Sequence, residues 1–317
     1  MRLFHGYDNA EIARPTVLTL GVFDGLQLGH QLVISTVVER ARACGAVPTV
    51  ITFDPHPRAV LHPESAPPLL QTFDQKVEAF GVLGVEQTIV IRFTRGFAQV
   101  GAEEFLRDVV HERLQAREVY LGRGFAFGRG REGNIELLRR VSSELGFTAD
   151  EVPEVRLRGQ RISSSRIRQL LAEGRVNLAR RMLGRPYGVE GRVVRGAERG
   201  RSLGFPTANI RPTNRVIPRG GVYVTATLIE GAWRRSVTNV GVRPTFESAG
   251  EPSVETFVMD WGGDLYGDVV RVRFLRRLRD ERRFSSVAEL KRQIEADAAR
   301  ARKYFERAGV RRSLSVI

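Results

Sequence analysis

Gly184-Arg185-Pro186 is the point at which the hydrophobic rhythm of this chain changes. Before it, apolar β-rich runs alternate with helical patterns. After it, short β-rich segments follow one another with no helix between them. Upstream, residues 17–23, 47–53, 88–93 and 119–122 read as strands. Residues 30–43, 73–83, 102–114 and 134–145 read as helices, with Thr72 and Gln75 as a capping box for the second. This βαβ alternation predicts an α/β domain with a doubly wound parallel sheet and ligands at the carboxyl edge of its strands. Downstream, residues 189–194, 208–211, 222–229, 233–240, 254–259 and 269–274 are separated by turns such as Glu230-Gly231 and Trp261-Gly262-Gly263. Consecutive strands of this kind predict a small antiparallel β-barrel. A helix over 287–308 closes the chain. Ser286 and Glu289 form its capping box, and Val287, Leu290, Ile294 and Ala298 its apolar stripe. With no repeat or low-complexity linker, the domains are expected at 1–184 and 185–317.

A chain of 317 residues is comfortable for two cores. The single cysteine, Cys44, excludes an internal disulfide and fits a reducing cytosol. No apolar run approaches membrane-spanning length, so a cytoplasmic protein without a membrane partner is expected. The net charge of +14 raises nucleic acid as a partner. Lysine, however, occurs only at Lys76, Lys291 and Lys303, and arginine is spread along the chain. A compositional bias toward arginine explains the charge at least as well as polyanion binding. Nucleotide phosphates remain a natural target, because the guanidinium fork matches them.

The richest local signal is Gly200-Arg201-Ser202-Leu203-Gly204-Phe205-Pro206-Thr207-Ala208-Asn209. In an extended segment Thr207 and Asn209 share a face, so a hydroxyl and an amide carbonyl can converge. Two neutral oxygens suit Mg²⁺ that keeps several waters and takes its other ligands from nucleotide phosphates. The alternative is a strand entered through a proline turn, with Thr and Asn serving turn chemistry. In Ser253-Val254-Glu255-Thr256-Phe257-Val258-Met259, both faces of the alternation are largely apolar. A glutamate held there has its pKa raised toward neutrality, as a general base for a hydroxyl needs. A rim glutamate with its head in solvent is the other reading.

These segments carry a resemblance. The glycines from Gly191 to Gly200, the Pro206-Thr207-Ala208-Asn209 run, Thr238-Asn239-Val240-Gly241-Val242-Arg243-Pro244-Thr245, the Glu255 strand, Asp264-Leu265-Tyr266-Gly267 and Leu278-Arg279-Asp280-Glu281-Arg282-Arg283-Phe284 occur in order. Together they resemble the riboflavin kinase module over nearly all of 185–310. The rest resembles the adenylyltransferase half of the bacterial bifunctional riboflavin kinase/FMN adenylyltransferase family. The resemblance implies a nucleotidyltransferase-like front half and a riboflavin kinase-like barrel, acting on riboflavin, FMN and ATP with Mg²⁺. The oligomeric state is left open.

Phosphorylating a ribityl hydroxyl is mostly positioning and charge neutralisation. Gly191, Gly196 and Gly200 would let backbone amides approach phosphate, although frequent glycines also mark ordinary hairpins. The resemblance assigns Pro206 and Thr207 to the nucleotide, Thr207 and Asn209 to the metal, Glu255 to the hydroxyl proton, and Arg279 and Phe284 to the flavin.

In the front half, Gly21-Val22-Phe23-Asp24-Gly25-Leu26-Gln27-Leu28-Gly29-His30 runs from strand into helix, where amides and the helix dipole favour an anion. Gly21, Phe23, Asp24 and Gly29 would surround the nucleotide, and His30 would steady charge on the α-phosphate. Ser163, Ser164 and Ser165 can cap the next helix while donating to phosphate, and Arg168 can reach the leaving pyrophosphate. Three departures fall on this chemistry. Gln27 replaces the first histidine of the family's His-x-Gly-His, Gly124 stands where Asp or Asn is usual, and Ala126 replaces a polar or basic residue. Asn134 also stands where Asp is common. Adenylylation is therefore expected to be slow, redirected or absent. The competing readings are a monofunctional riboflavin kinase with a degenerate front half and, more distantly, an RNA-binding protein.

Overall fold

A computed structural model describes residues 1–8, 14–196, 204–242 and 252–307. Contacts divide the chain into two compact units, Met1–Pro68 with Thr72–Ile162, and Leu69–Gln71 with the chain from Ser163 onward.

The first unit is a parallel sheet of β1 (Arg2–His5), β2 (Thr16–Leu20), β3 (Val47–Asp54), β4 (Gln87–Arg92), β5 (Ala116–Gly122) and β6 (Thr148–Val152), ordered β1-β4-β3-β2-β5-β6. The central strands β2 and β3 are buried along nearly their whole length, which is why they read as continuous apolar runs. β1 and β6 form the edges. Their partly exposed side chains carry no such run, and the sequence reading names no strand at either place. α1 (Leu28–Cys44) leaves β2; α2 (Pro57–Leu61) and α3 (Phe73–Val82) follow β3. Thr72 and Gln75 make the expected reciprocal capping box on α3. The strand expected over 17–23 stops at Leu20, because Phe23 adopts a left-handed φ of 52° and turns the chain away. The helix expected over 102–114 is α4 (Ala102–Glu104) continued by the π-helical Phe105–Arg113, whose wider turn ends with Leu114 N–H on the Val109 carbonyl at 2.9 Å. α5 (Ile135–Leu145) precedes β6, and a two-stranded ribbon of β7 (Arg156–Leu157) and β8 (Gln160–Arg161) ends the unit.

The second unit opens with α6 (Ser164–Ala172) and α7 (Val176–Leu183). A closed antiparallel barrel follows, made of β9 (Tyr187–Val194), β10 (Thr207–Pro212), β11 (Gly221–Ile229), β12 (Ala232–Val242), β13 (Pro252–Val258) and β14 (Val269–Arg279), ordered β10-β13-β12-β11-β14-β9. Its inward positions hold a run of buried hydroxyls. Thr227 and Thr225 each bond Ser236 at 2.8 Å, Thr225 bonds Thr238 at 2.7 Å, and Thr238 bonds Thr256 at 2.9 Å. α7 buries Val176, Ala179, Met182 and Leu183 and packs on β14 and β9. α8 (Val287–Arg307) packs Ala298, Ala301 and Phe305 with Val224, Met259 and Leu275. Two expectations for α8 need correction. Val287 is 67% exposed, so the apolar stripe begins one turn later, at Leu290. The capping box is displaced: Ser286 Oγ accepts from Glu289 N–H, but the Glu289 carboxylate turns to Ser285. No helix among the described residues is long and apolar enough to cross a membrane.

Candidate active sites

On the outer face of the barrel, strand register sets three side chains abreast. Asn209 of β10 lies opposite Glu255 of β13, and Glu255 lies opposite Asn239 of β12. Residues directly opposite across antiparallel strands have Cβ atoms about 5 Å apart. Thr207, two residues before Asn209, shares its face. A cavity of about 310 Å³ is lined by Thr207, Asn209, Asn239, Glu255, Arg279 and Phe284, among others, with Leu290 and Ile294 of α8 on its wall. Asn209 is buried, whereas Glu255 is half-buried rather than sealed, and Ser253 Oγ donates to its Oε1 at 3.2 Å. Gly196 lies against the Asn209 amide so closely that a Cβ there would collide with it. The end of the glycine-containing approach therefore meets the Asn209 side chain. Gly191 has a different origin: its missing Cβ makes room for the Arg211 carbonyl of the neighbouring strand. Pro206 is exposed immediately before β10, and Gly200 lies outside the described residues.

Arg279 is fixed by a residue that the sequence reading does not single out. Its Nε and Nη2 donate to Asp297 Oδ2 at 2.9 and 2.8 Å, Asp297 is 2% exposed, and Gln293 donates to the other carboxylate oxygen. The guanidinium centre stands 5.7 Å from the Phe284 ring centroid, and that of Arg282 4.7 Å. Glu281 accepts from Asn239 Nδ2 at 3.1 Å. The sequence held one signal for Asp297: a single acid beside the apolar stripe, three residues after Ile294.

In the first unit the strand order reverses between β2 and β5, so a crevice is expected outside their carboxyl ends. The segments Gly21 to His30 and Gly122 to Ala126 leave those two ends. Phe23 packs edge-on to His30 at 5.4 Å, and its ring fills the space where Gly21 would carry a Cβ. Asp24 is buried. A Cβ on Gly29 would meet nothing within 4 Å, so that glycine faces open space. Gln27 occupies the N-cap of α1 without a side-chain cap bond, with Nε2 3.4 Å from His30 Nε2. A cavity of about 790 Å³ holds Gly124 and Ala126 among Phe53, Phe93, Phe97 and Phe125, with Arg58 and Arg129 in its lining. Gly124, at φ 71°, donates its N–H to Glu151. Asn134 caps α5, accepting from Leu137 N–H at 2.9 Å. Asn and Asp serve that role equally, so this departure needs no catalytic explanation. Ser163 caps α6 by accepting from Arg166 N–H at 3.2 Å, and Ser164, Ser165 and Arg168 belong to the same helix, within the second unit.

Comparison with known proteins also finds two parts, with a different boundary: the first match runs through residues 163–166, which contacts group with the second unit. A family model described as FAD synthetase matches residues 9–166, and one described as riboflavin kinase matches 183–305. The chain is 37% identical to the bifunctional riboflavin kinase/FMN adenylyltransferase of Pseudomonas fluorescens, covering 95% of this chain and 97% of that one. It is 36% identical to the protein of that name from Escherichia coli K12, over 96% and 98%, and 34% identical to that of Bacillus subtilis, over 92% of each. The solved structure of a Streptococcus pneumoniae chain called a macrolide-efflux protein superposes with a TM-score of 0.87 at 31% identity, over 95% of this chain and 98% of that one. The chain thus belongs to the bifunctional riboflavin kinase/FMN adenylyltransferase family.

Proposed function

We propose that the chain carries out two successive ATP-dependent steps on a flavin. Riboflavin is phosphorylated to FMN on the outer face of the barrel, and FMN then receives AMP from a second ATP, releasing pyrophosphate, in the first unit. The observation that supports the first step is the row Asn209, Glu255, Asn239 on the wall of a cavity that also holds Thr207, Arg279 and Phe284. The terminal ribityl oxygen bonds to the γ-phosphorus, the bond from that phosphorus to the ADP oxygen breaks, and the hydroxyl proton passes to Glu255. The Thr207 hydroxyl and the Asn209 side-chain oxygen fit an ion that keeps water and phosphate ligands, and Gly196 brings backbone to the same point. Mg²⁺ held there by Thr207 and Asn209 would offset the phosphate charge. Phe284 and Arg279 would hold the flavin, with Arg279 kept in place by Asp297.

In the first unit, a phosphate oxygen of FMN bonds to the α-phosphorus of ATP as the bond to pyrophosphate breaks. The amides at the start of α1 and His30 stabilise the charge that develops. Phe53, Phe93, Phe97 and Phe125 offer faces for a planar ring, and Arg58 and Arg129 charges for its phosphate.

Incubation with riboflavin, ATP and Mg²⁺, followed by chromatographic separation of the flavins, tests both steps. FMN followed by FAD is expected. FMN alone would remove the second step, and no flavin product would remove both. Glu255→Gln is expected to bind riboflavin within a few-fold of wild type while phosphorylation falls roughly 10²- to 10⁴-fold. A wild-type rate in that variant would sink the assignment of the base.

A further inference from the structure

Lys76, on α3, is a buried cation that neither proposed step uses. It is 8% exposed. Its ammonium donates to Thr52 Oγ1 at 3.1 Å and to the Phe53 carbonyl at 3.4 Å, and it stands 5.6 Å from the centroid of the Phe73 ring. Thr52 in turn makes a long 3.5 Å contact through its hydroxyl to the Val22 carbonyl. Val22 and Phe53 both line the larger cavity, and Val22 belongs to the turn in which Phe23 and Gly25 have positive φ. The carboxylates that face the ammonium are Asp24, in the same turn, and Asp54, at the end of β3. Desolvation pulls the Lys76 pKa down to about 8, with the two carboxylates partly opposing it. An apolar side chain of similar length would fill this space without that penalty. The bonded path from Lys76 through Thr52 to Val22 gives this cation a role.

We infer that Lys76 is a positioning residue for adenylyl transfer: through Thr52 and the Phe53 carbonyl it fixes the turn from Gly21 to Gly25 against which the nucleotide phosphates lie. The inference rests on the proposed second step, but its structural part can be tested separately. As pH rises through about 8, Lys76 loses its proton, the charge-assisted bonds weaken, and the turn loosens.

Lys76→Met in the full-length chain provides the test. FAD formation is expected to fall about ten-fold in kcat/KM, mainly through a higher KM for ATP. Riboflavin phosphorylation by the same molecules should be unchanged. The wild-type loss of FAD formation above pH 8 should disappear in the variant. Amide hydrogen exchange gives a readout that needs no turnover: peptides covering residues 21–25 should exchange about ten-fold faster in the variant, while those covering β4 do not change. Unchanged exchange in a folded variant overturns the inference even if wild type makes no FAD; so does an alkaline decline that persists without the lysine. If Lys76→Met fails to fold, Thr52→Val removes the link to Val22 with the lysine in place. It should accelerate exchange over the same peptides, and unchanged exchange there is equally fatal.

Discussion

At the scale of single residues, Gln27 and Lys76 bear in opposite directions on the proposed adenylyl transfer. Gln27 meets His30 at 3.4 Å, yet its amide can never become a cation, and its Oε1 is buried without a hydrogen-bond partner among the described residues. Gln27→His is therefore expected to raise the rate of FAD formation, measured with FMN and ATP. A rate that does not move would shift the weight to Gly124 and Ala126, both in the lining of the aromatic cavity. Lys76 carries a thermodynamic signature of its own. Its pKa is near 8 in the folded chain against 10.5 when unfolded. Between those values the unfolded chain binds more protons, so this group's contribution to stability rises with pH there and is unfavourable at neutrality. Lys76→Met should accordingly raise the melting temperature of the first unit by a few degrees at pH 7 in a calorimetric scan, even as adenylylation falls. A lower melting temperature would show that the bonds to Thr52 and Phe53 outweigh desolvation. Neither the burial of Lys76 nor its partners could be read from residues 72–76, because they depend on how α3 meets the end of β3.

At the scale of elements, strands of the parallel sheet are legible where both faces are buried and elusive at its edges. Thr16–Leu20 and Val47–Asp54 announce themselves as apolar runs, whereas Arg2–His5 and Thr148–Val152 look like ordinary polar chain. The capping box at Thr72 was legible because it is local; the one at Ser286 was misread because Glu289 had Ser285 as a second choice. The cap at Asn134 predicts a clean contrast. Asn134→Asp should leave stability unchanged, while Asn134→Ala should cost about 1 kcal/mol in denaturant unfolding. Alternation alone put Thr207 and Asn209 on one face, but bringing Glu255 to them needed the register of β10 on β13, and Asp297, 18 residues after Arg279, needed α8 folded back on the barrel. Asp297→Ala leaves that guanidinium without its buried counter-charge. It is expected to raise the KM for riboflavin about ten-fold or more with a smaller effect on kcat. Equal KM values would mean that Arg279 holds its place without the helix.

At the scale of the whole molecule, the boundary is the informative feature. The change of rhythm at Gly184-Arg185-Pro186 separates two folding patterns, while contacts group α6 and α7 with the barrel. A fragment starting at Ser163 is expected to phosphorylate riboflavin and to melt at a higher temperature than one starting at Arg185. The shorter fragment would expose the patch on β14 and β9 that Val176, Ala179, Met182 and Leu183 cover. Equal melting temperatures would reassign the helices. Rhythm reports how a segment is built, not which core it joins, and so the sequence could not place them.

The file of hydroxyls inside the barrel has a further consequence for the face outside it. Side chains alternate along a strand, so sliding β13 by one residue would swing Glu255 into the interior and push Thr256 out to the cavity wall. The interior is matched oxygen to oxygen along Thr227, Ser236, Thr225, Thr238 and Thr256, and a carboxylate entering that file would break its pairing. The polar rail in the dark thus works as a ratchet stop, holding Asn209, Glu255 and Asn239 abreast in a single alignment.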